Sequence, residues 1–349
     1  MGLIYFHTGF ECNLRCRYCF QGSNYGARSR RRKQLDLKTM DRFIGFCAEN
    51  GFDNVQIYGG EPFMHKELIL HALRRFGEQK PRPVVGIVTN GTLLDEEIMS
   101  HLEQYRTPIL LSLDGNKDRH NKMRGGFDRI SPWFPRLAAR KPTVALQAGI
   151  IAGLADQVRW VWAQGFNRVF INVIQTYDWY KPADVKRFEK EYEKCIQAML
   201  EGEGTLNCAA QLTQLLEKEK FAQTCGIIRK GYACDGEGNV YPCHRAVELG
   251  KRFALGTVFQ GIDTRKDARL RKRIEAQAFA DKEKDRWPHT SFCPVEVYLK
   301  HGTFAGPWSR GFSAMIELKV KLVAKYFHEL RKLKPPSPGR LEMKRGDEP

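Results

Sequence analysis

Three cysteines stand close together near the amino terminus, in the run Cys12-Asn13-Leu14-Arg15-Cys16-Arg17-Tyr18-Cys19-Phe20. The C-x3-C-x2-C spacing offers three thiolates on one short loop and no neighbouring fourth. Four cysteines close every iron of a [4Fe–4S] cube. Three hold three irons and leave one with an open position, as catalytic metal sites generally do. Metal chemistry at that iron is the first function the chain raises. The plainer readings are a zinc site or buried small residues. Structural zinc takes four ligands, often from paired C-x2-C elements, and no close partner pair stands nearby.

The loop needs a scaffold, and the first 200 residues supply one. Short apolar, β-branched runs at 3–7, 54–58, 84–88, 109–113, 144–150 and 169–173 alternate with amphipathic segments near 38–50, 66–77, 95–104, 129–140, 155–164 and 183–200. Six such repeats predict an α/β fold with a parallel sheet and outer helices, open or curled into a partial (β/α)6 barrel. Ligands of such folds sit at the carboxyl ends of the strands, and the cysteine loop follows the first strand directly. After Gly202-Glu203-Gly204 the pattern changes. A helix near 208–222 leads to a cysteine- and glycine-containing region with a hairpin turn at Asp235-Gly236-Glu237-Gly238, then a helix over 312–333. The division is 1–202 for the partial barrel, 203–300 for a cysteine-rich domain, 301–334 for a helical segment and 335–349 for a disordered tail.

Size and composition bound the remainder. The 349 residues carry 57 basic and 40 acidic side chains, a net charge of +17, with dense runs at 28–33 and 265–273. Such charge suits nucleic acid, an acidic peptide or a membrane surface, but equally a solvated basic face. No segment approaches a membrane helix, and no apolar stretch precedes Glu11, Arg15 and Arg17 to make a secretory signal. A cytoplasmic location follows, where ten cysteines read as metal ligands or catalytic groups before disulfides.

Further strand ends carry polar and glycine motifs. Gly59-Gly60-Glu61-Pro62 follows the second strand, with two glycines that allow close backbone approach to a ligand and one anion. Thr89-Asn90-Gly91-Thr92 follows the third, and Ser112-Leu113-Asp114-Gly115 ends the fourth. Each alone is an ordinary turn. Together with the cysteine loop they resemble the radical S-adenosylmethionine superfamily. That resemblance implies S-adenosylmethionine chelated at the open iron and cleaved to a 5′-deoxyadenosyl radical. It implies that Gly59, Gly60 and Glu61 hold the cofactor's ammonium group, that Ser112 meets its ribose and that Arg124 is a partner for its carboxylate. Tyr18 and Asn90 complete the cofactor-binding set, and Gln147 and Asn172 are weaker candidates for lining the pocket.

Cys225, Gly238 and Cys243 form a C-x12-G-x4-C pattern, followed by Leu255-Gly256-Thr257-Val258 and Cys293. This resembles the start of a SPASM domain in its shortened, twitch-like form. The resemblance implies one auxiliary iron–sulfur cluster, of [4Fe–4S] type, on Cys225, Cys243 and Cys293. Cys234 is a possible fourth ligand, an idle hairpin residue or a catalytic hydrogen-atom donor. A structural zinc knuckle is the alternative for the set. Cys47, Cys195 and Cys208 read as buried small residues.

The function implied is maturation of a ribosomally made peptide by cross-linking, epimerisation or related C–H chemistry. Partners would be the precursor, with an acidic leader facing the 28–33 run, and an electron donor such as flavodoxin or ferredoxin. The chain begins at the first strand, which leaves no room ahead for a leader-binding domain, so the precursor is expected to be short, held by a separate leader-binding protein, or drawn in by charge. The rivals are a radical enzyme acting on a protein side chain in the manner of a sulfatase maturase, one acting on RNA, and a non-enzymatic iron–sulfur binding protein. RNA readers interleave exposed aromatics with basic groups, which neither basic run does.

Overall fold

Each strand of the expected run is present, and the sheet then grows at both ends. The computed structural model describes residues 2–21, 35–175, 179–208, 231–278, 293–307 and 309–333. Cys225, the 28–33 basic run, all but the first residue of the 208–222 segment and the tail beyond 335 lie outside the described residues. Seven parallel strands, β1 (Gly2–His7), β2 (Phe52–Tyr58), β3 (Val84–Thr89), β4 (Ile109–Ser112), β5 (Thr143–Gln147), β6 (Arg168–Asn172) and β7 (Thr205–Leu206), lie side by side in chain order. The six strands predicted thus become part of an open sheet of 11, with the order β11-β10-β9-β8-β1-β2-β3-β4-β5-β6-β7.

The added strands come from the cysteine-rich region. β8 (Tyr232–Asp235) pairs parallel to β1, from Ile4 opposite Tyr232 to His7 opposite Asp235. β9 (Asn239–Tyr241) turns back on it through the predicted hairpin, and β10 (Gly256–Thr257) and β11 (Gly261–Ile262) follow. Asp235 shapes that hairpin, accepting from the backbone N–H of Glu237 and Asn239 at 3.0 and 2.9 Å.

Between the parallel strands run α1 (Leu37–Glu49), α2 (Lys66–Gly77), α3 (Glu96–Gln104), α4 (Lys117–Met123), α5 (Phe127–Ile130), α6 (Phe134–Ala139), α7 (Leu154–Ala163) and α8 (Pro182–Leu200). Aspartates start two of them: Asp36 accepts from Thr39 N at 2.6 Å and Asp95 from Ile98 N at 2.8 Å. The helix expected over 129–140 is broken in three. Pro132 and Pro135 remove two amide donors, and a 3-10 turn at Ser131–Trp133 separates α5 from α6. The fifth strand stops at Gln147 rather than 150. The carbonyls of Ala148 and Gly149 bond to the Tyr180 hydroxyl at 3.0 Å and the Trp179 indole at 3.2 Å instead of to a neighbouring strand.

Period-two alternation divides the sheet. Ile4, Phe6, Val55, Ile57, Leu111 and Val144 are buried under the helices, where the Phe6 and Phe43 rings lie 4.8 Å apart. Tyr5, Gln56, Val88, Ser112, Gln147 and Asn172 are only half-buried on the other face. A second core of Ala233, Tyr241, Ala246, Val247, Phe253 and Phe304 joins the hairpin to α9 (Thr264–Ala278) and α10 (Pro294–His301) through Ile274 and Val295. The last helices, α11 (Arg310–Lys325) and α12 (Phe327–Lys332), pack into the main core through Phe312, Met315 and Leu330. The 265–273 basic run lies on α9, whose Ile274 is buried. Among the described residues, no helix is long and apolar enough to cross a membrane.

α11 packs on α8 and seals the β6 edge, where β7 is only two residues long. The fully buried Lys319 ammonium donates to the Ile171 carbonyl at 2.8 Å. Burial lowers the Lys319 pKa from 10.5 to about 8, with Cys208 pulling it back up. Between those two pH values the unfolded chain holds a proton that the folded chain has lost, so folding stability rises with pH there. Lys319→Met should flatten that rise in urea unfolding followed from pH 8 to 10. An identical slope in the two proteins would refute the assignment.

Candidate functional site

At the carboxyl end of β1 the chain continues as Thr8-Gly9-Phe10-Glu11 and lies along the turn that follows β2. Thr8 N donates to Tyr58 O, Gly60 N to Gly9 O and Glu61 N to Glu11 O, each at 2.8 Å. No side chain fits between these backbones. A Cβ on Gly59 would lie 2.2 Å from Thr8 Oγ1, and one on Gly60 would lie 2.0 Å from Glu11 O. The glycines therefore admit the cysteine loop itself.

Glu61 locks this junction to the third strand. Its carboxylate is 1% exposed and accepts from Thr89 Oγ1 at 2.7 Å, Asn90 N at 2.7 Å and Phe63 N at 3.2 Å. Burial pushes its pKa up to about 7 although those hydrogen bonds pull the other way. Asn90 reaches onward to the cysteine loop, donating to Asn13 Oδ1 at 3.0 Å and to Cys12 Sγ at 3.7 Å. Leu14 N donates to the same sulfur at 3.4 Å.

The other side of the loop rests on a carboxylate that the sequence showed only as half of an Asp-Gly turn. Asp114, wholly buried just after β4, accepts from the Tyr18 hydroxyl, from Arg124 Nε at 3.0 Å and from Gln147 N at 2.9 Å. Arg124 lies with its guanidinium carbon 5.1 Å from the Tyr18 ring centre and its Nη1 3.9 Å from Cys16 Sγ. Burial alone would lower the Arg124 pKa, but Asp114, Tyr18 and Cys16 hold it above its ordinary value. Ser112, Gln147 and Asn172 stand half-buried on the sheet face opposite the helices, with Asn172 Nδ2 donating to Gln147 Oε1 at 3.0 Å.

The donor set can be tested against the cluster that the spacing suggests. Burial pushes the Cys16 thiol up to about 11 against the pull of Arg124, and the neighbouring Cys19 and Cys12 add to the rise. The Cys12 thiol is raised by burial and in part by Cys19. Two thiols held protonated in this way, beside a third, are a site that a cation would deprotonate. Among the described residues, no three such side chains are gathered tightly enough to grip a single ion. A multi-iron cluster takes one thiolate per iron and is tuned by hydrogen bonds at sulfur, so this loop fits it.

The second cysteine region backs onto the first. Cys243 precedes the 3-10 turn His244–Leu249, and Cys293 precedes α10. Tyr58 donates to the His244 carbonyl at 2.6 Å, and the Tyr5 and His244 rings lie 4.7 Å apart. Arg245, which the sequence reading passed over, is the keystone here. It pairs with Glu248 at 2.8 Å and with Glu296, and its guanidinium lies 4.1 Å from the ring centre of Phe20, the residue after Cys19. Burial raises the Cys293 thiol pKa while Arg245 lowers it.

Cys234 stands apart from these groups. In register with Phe6 on the helix-covered face, it is fully buried and donates to the Asp235 carbonyl at 3.2 Å. Burial pushes its thiol well up, with further contributions from Asp235 and Cys47. Cys47, Cys195 and Cys208 are buried.

Residues 7–135 match the family model of the Radical SAM superfamily. The chain is 26% identical over 320 residues to the antilisterial bacteriocin subtilosin biosynthesis protein AlbA of Bacillus subtilis, covering 84% of this chain and 67% of AlbA. It is 28% identical over 134 residues to the radical SAM cyclopropyl synthase TigE of Paramaledivibacter caminithermalis, of which it spans only 28%. Among solved structures, anSMEcpe with bound AdoMet and Cp18Cys peptide superposes with a TM-score of 0.72 at 16% identity, over 95% of this chain and 98% of that one. Streptococcus suis SuiB bound to its precursor peptide SuiA gives 0.65 at 16% identity, over 89% and 75%. These two likenesses fix the fold: a parallel α/β core with a carboxyl-terminal extension.

The loop-on-turn junction predicts opposite outcomes for two glycines. Gly60→Ala should lower stability by about 1–3 kcal/mol, because neither facing backbone can give way. Gly45→Ala on α1, where a Cβ comes no closer than 3.4 Å to the flexible Arg42 side chain, should raise it by about 0.5–1 kcal/mol. Chemical denaturation of the two variants checks both signs.

Proposed function

We propose that this chain, a member of the radical SAM superfamily, matures a ribosomally synthesised peptide. Cys12, Cys16 and Cys19 would hold a [4Fe–4S] cluster, and S-adenosylmethionine bound there, given one electron by an external donor, would supply a 5′-deoxyadenosyl radical able to take a hydrogen atom from a substrate carbon. The protein's own work is placement. Gly59 and Gly60 let the cysteine loop dock on β2, Glu61 and Asn90 tie it to β3, and Asp114 ties it to β4 and β5. Ser112, Gln147 and Asn172 offer polar groups on the half-buried sheet face where cofactor and substrate would meet.

One observation carries the peptide reading. The likeness to AlbA extends over 84% of the chain, well past the segment that matches the superfamily. AlbA serves bacteriocin biosynthesis, and SuiB is seen with a precursor peptide. Cys225, Cys243 and Cys293 would hold the auxiliary cluster, with the Arg245 charge favouring the Cys293 thiolate. Cys234 lies in the core, which suits a packing role better than hydrogen-atom transfer. An electron donor of the flavodoxin or ferredoxin type is the partner this reading requires, and a separate leader-binding protein is compatible with it. An acidic leader would suit the net positive charge, and the reduced cysteines suit the cytoplasm.

The test uses anaerobically reconstituted protein with a strong reductant. Wild type and Cys293→Ala should both form 5′-deoxyadenosine, whereas Cys12→Ala should lose at least about 100-fold, equivalent to a barrier higher by about 2.7 kcal/mol. With the peptide encoded beside the gene, only wild type should yield product. Loss of two hydrogens marks a cross-link, and deuterium at a Cα in deuterated water marks epimerisation. No 5′-deoxyadenosine from wild type would overturn the proposal, and full product from Cys293→Ala would remove the second cysteine region from it.

A further inference from the structure

Asp114 gathers donors from three separate elements: Tyr18 in the cysteine loop, Arg124 at the end of α4 and the backbone of Gln147 in β5. Its own N–H donates to His120 Nδ1 at 3.3 Å. The carboxylate is therefore held from several directions and has little freedom to move. Arg124 is its dependent partner. The Arg124 side chain is only 8% exposed, and its other neighbours are the Tyr18 ring and the Cys16 sulfur. A buried guanidinium deprived of its anion would turn toward water, since an unpaired buried charge is costly.

From this geometry we infer that Asp114 is a positioning residue that holds the Arg124 charge against Cys16 and so raises the reduction potential of the cluster bound there. The inference rests on the function proposed above. A cation and an N–H donor beside a ligating sulfur favour the reduced, more negative state of an iron–sulfur cluster. The contact from Arg124 to Cys16 has no support of its own at 3.9 Å. Its geometry follows from the anchored Nε bond to Asp114.

The sign of one shift separates positioning from simple charge. If Asp114 acted only as a nearby anion, Asp114→Asn would make the potential more positive. If it positions Arg124, the same variant lets the guanidinium leave Cys16, and the potential becomes more negative although an anion has been removed. The measurement is a redox titration of the reconstituted protein, read on the EPR signal that changes when S-adenosylmethionine is added. Asp114→Asn, Arg124→Met and the double variant should all shift negative, with the double no further than Arg124→Met alone. Arg124→Lys keeps the charge but not the fork, so its shift should be negative and smaller than that of Arg124→Met. Should Asp114→Asn not fold, Asp114→Glu, which keeps the anion but displaces the Nε bond, carries the test and should also shift negative. A positive or absent shift in the Asp114 variant, or an absent shift in Arg124→Met, overturns the inference alone. A wild-type protein with no S-adenosylmethionine-sensitive signal overturns it together with the proposed function.

Discussion

Two stretches of backbone, Thr8–Glu11 and Gly59–Glu61, run in hydrogen-bonded contact past the ends of β1 and β2, and the site is built outward from that contact. Two bonds of 2.8 Å hold them, a third runs from Thr8 N to Tyr58 O at the end of β2, and a Cβ on either glycine would overlap the facing chain. The strand pairing of β1 and β2 thus extends into the loop that carries the cysteines. A three-cysteine loop on an unsupported tether would lose its geometry to conformational entropy. Here its first residues are fixed before any ligand binds.

Two buried carboxylates extend that order across the sheet. Glu61 draws in the end of β3, and Asp114 draws in β5, α4 and the aromatic residue of the cysteine loop. Both are satisfied by several donors, which is the condition under which burying such groups is tolerated. They differ electrically. Glu61 faces only neutral donors, and burial raises its pKa to about 7, whereas Asp114 faces a guanidinium. The loop therefore has a carboxyl without a counter-ion on the Cys12 side and an ion pair on the Cys16 side.

Much of this was legible in the residues, and the remainder was hidden for identifiable reasons. Cys12, Cys16 and Cys19 announce themselves by local spacing, and the parallel strands by period-two apolar runs. The hairpin at Asp235–Gly238 follows from turn chemistry, with Gly238 at φ +83°. Asp114 and Arg245 were invisible because their partners lie far along the chain: 96 residues separate Tyr18 from Asp114, and 51 separate Arg245 from Glu296. No spacing rule connects such groups until the sheet brings them together. The two-residue strands β7, β10 and β11 are too short to show a period. The break between α5 and α6 follows from Pro132 and Pro135, and the apolar periodicity that runs across them masks it. The inward direction of Cys234 depends on its register with Phe6, which only the β1–β8 pairing sets.

That same pairing ties the second cysteine region to the first without a flexible linker between β8 and β1. Arg245 packs against Phe20 at one end of the junction and stands beside Cys293 at the other. The central claim is that the docked loop supplies three ligands and leaves one iron for S-adenosylmethionine. The most direct measurement is electron–nuclear double resonance on the reduced, reconstituted protein with S-adenosylmethionine labelled with nitrogen-15 at its amino group. The account predicts a nitrogen-15 coupling to the cluster that disappears in Cys16→Ala. A reduced cluster with no such coupling would contradict it.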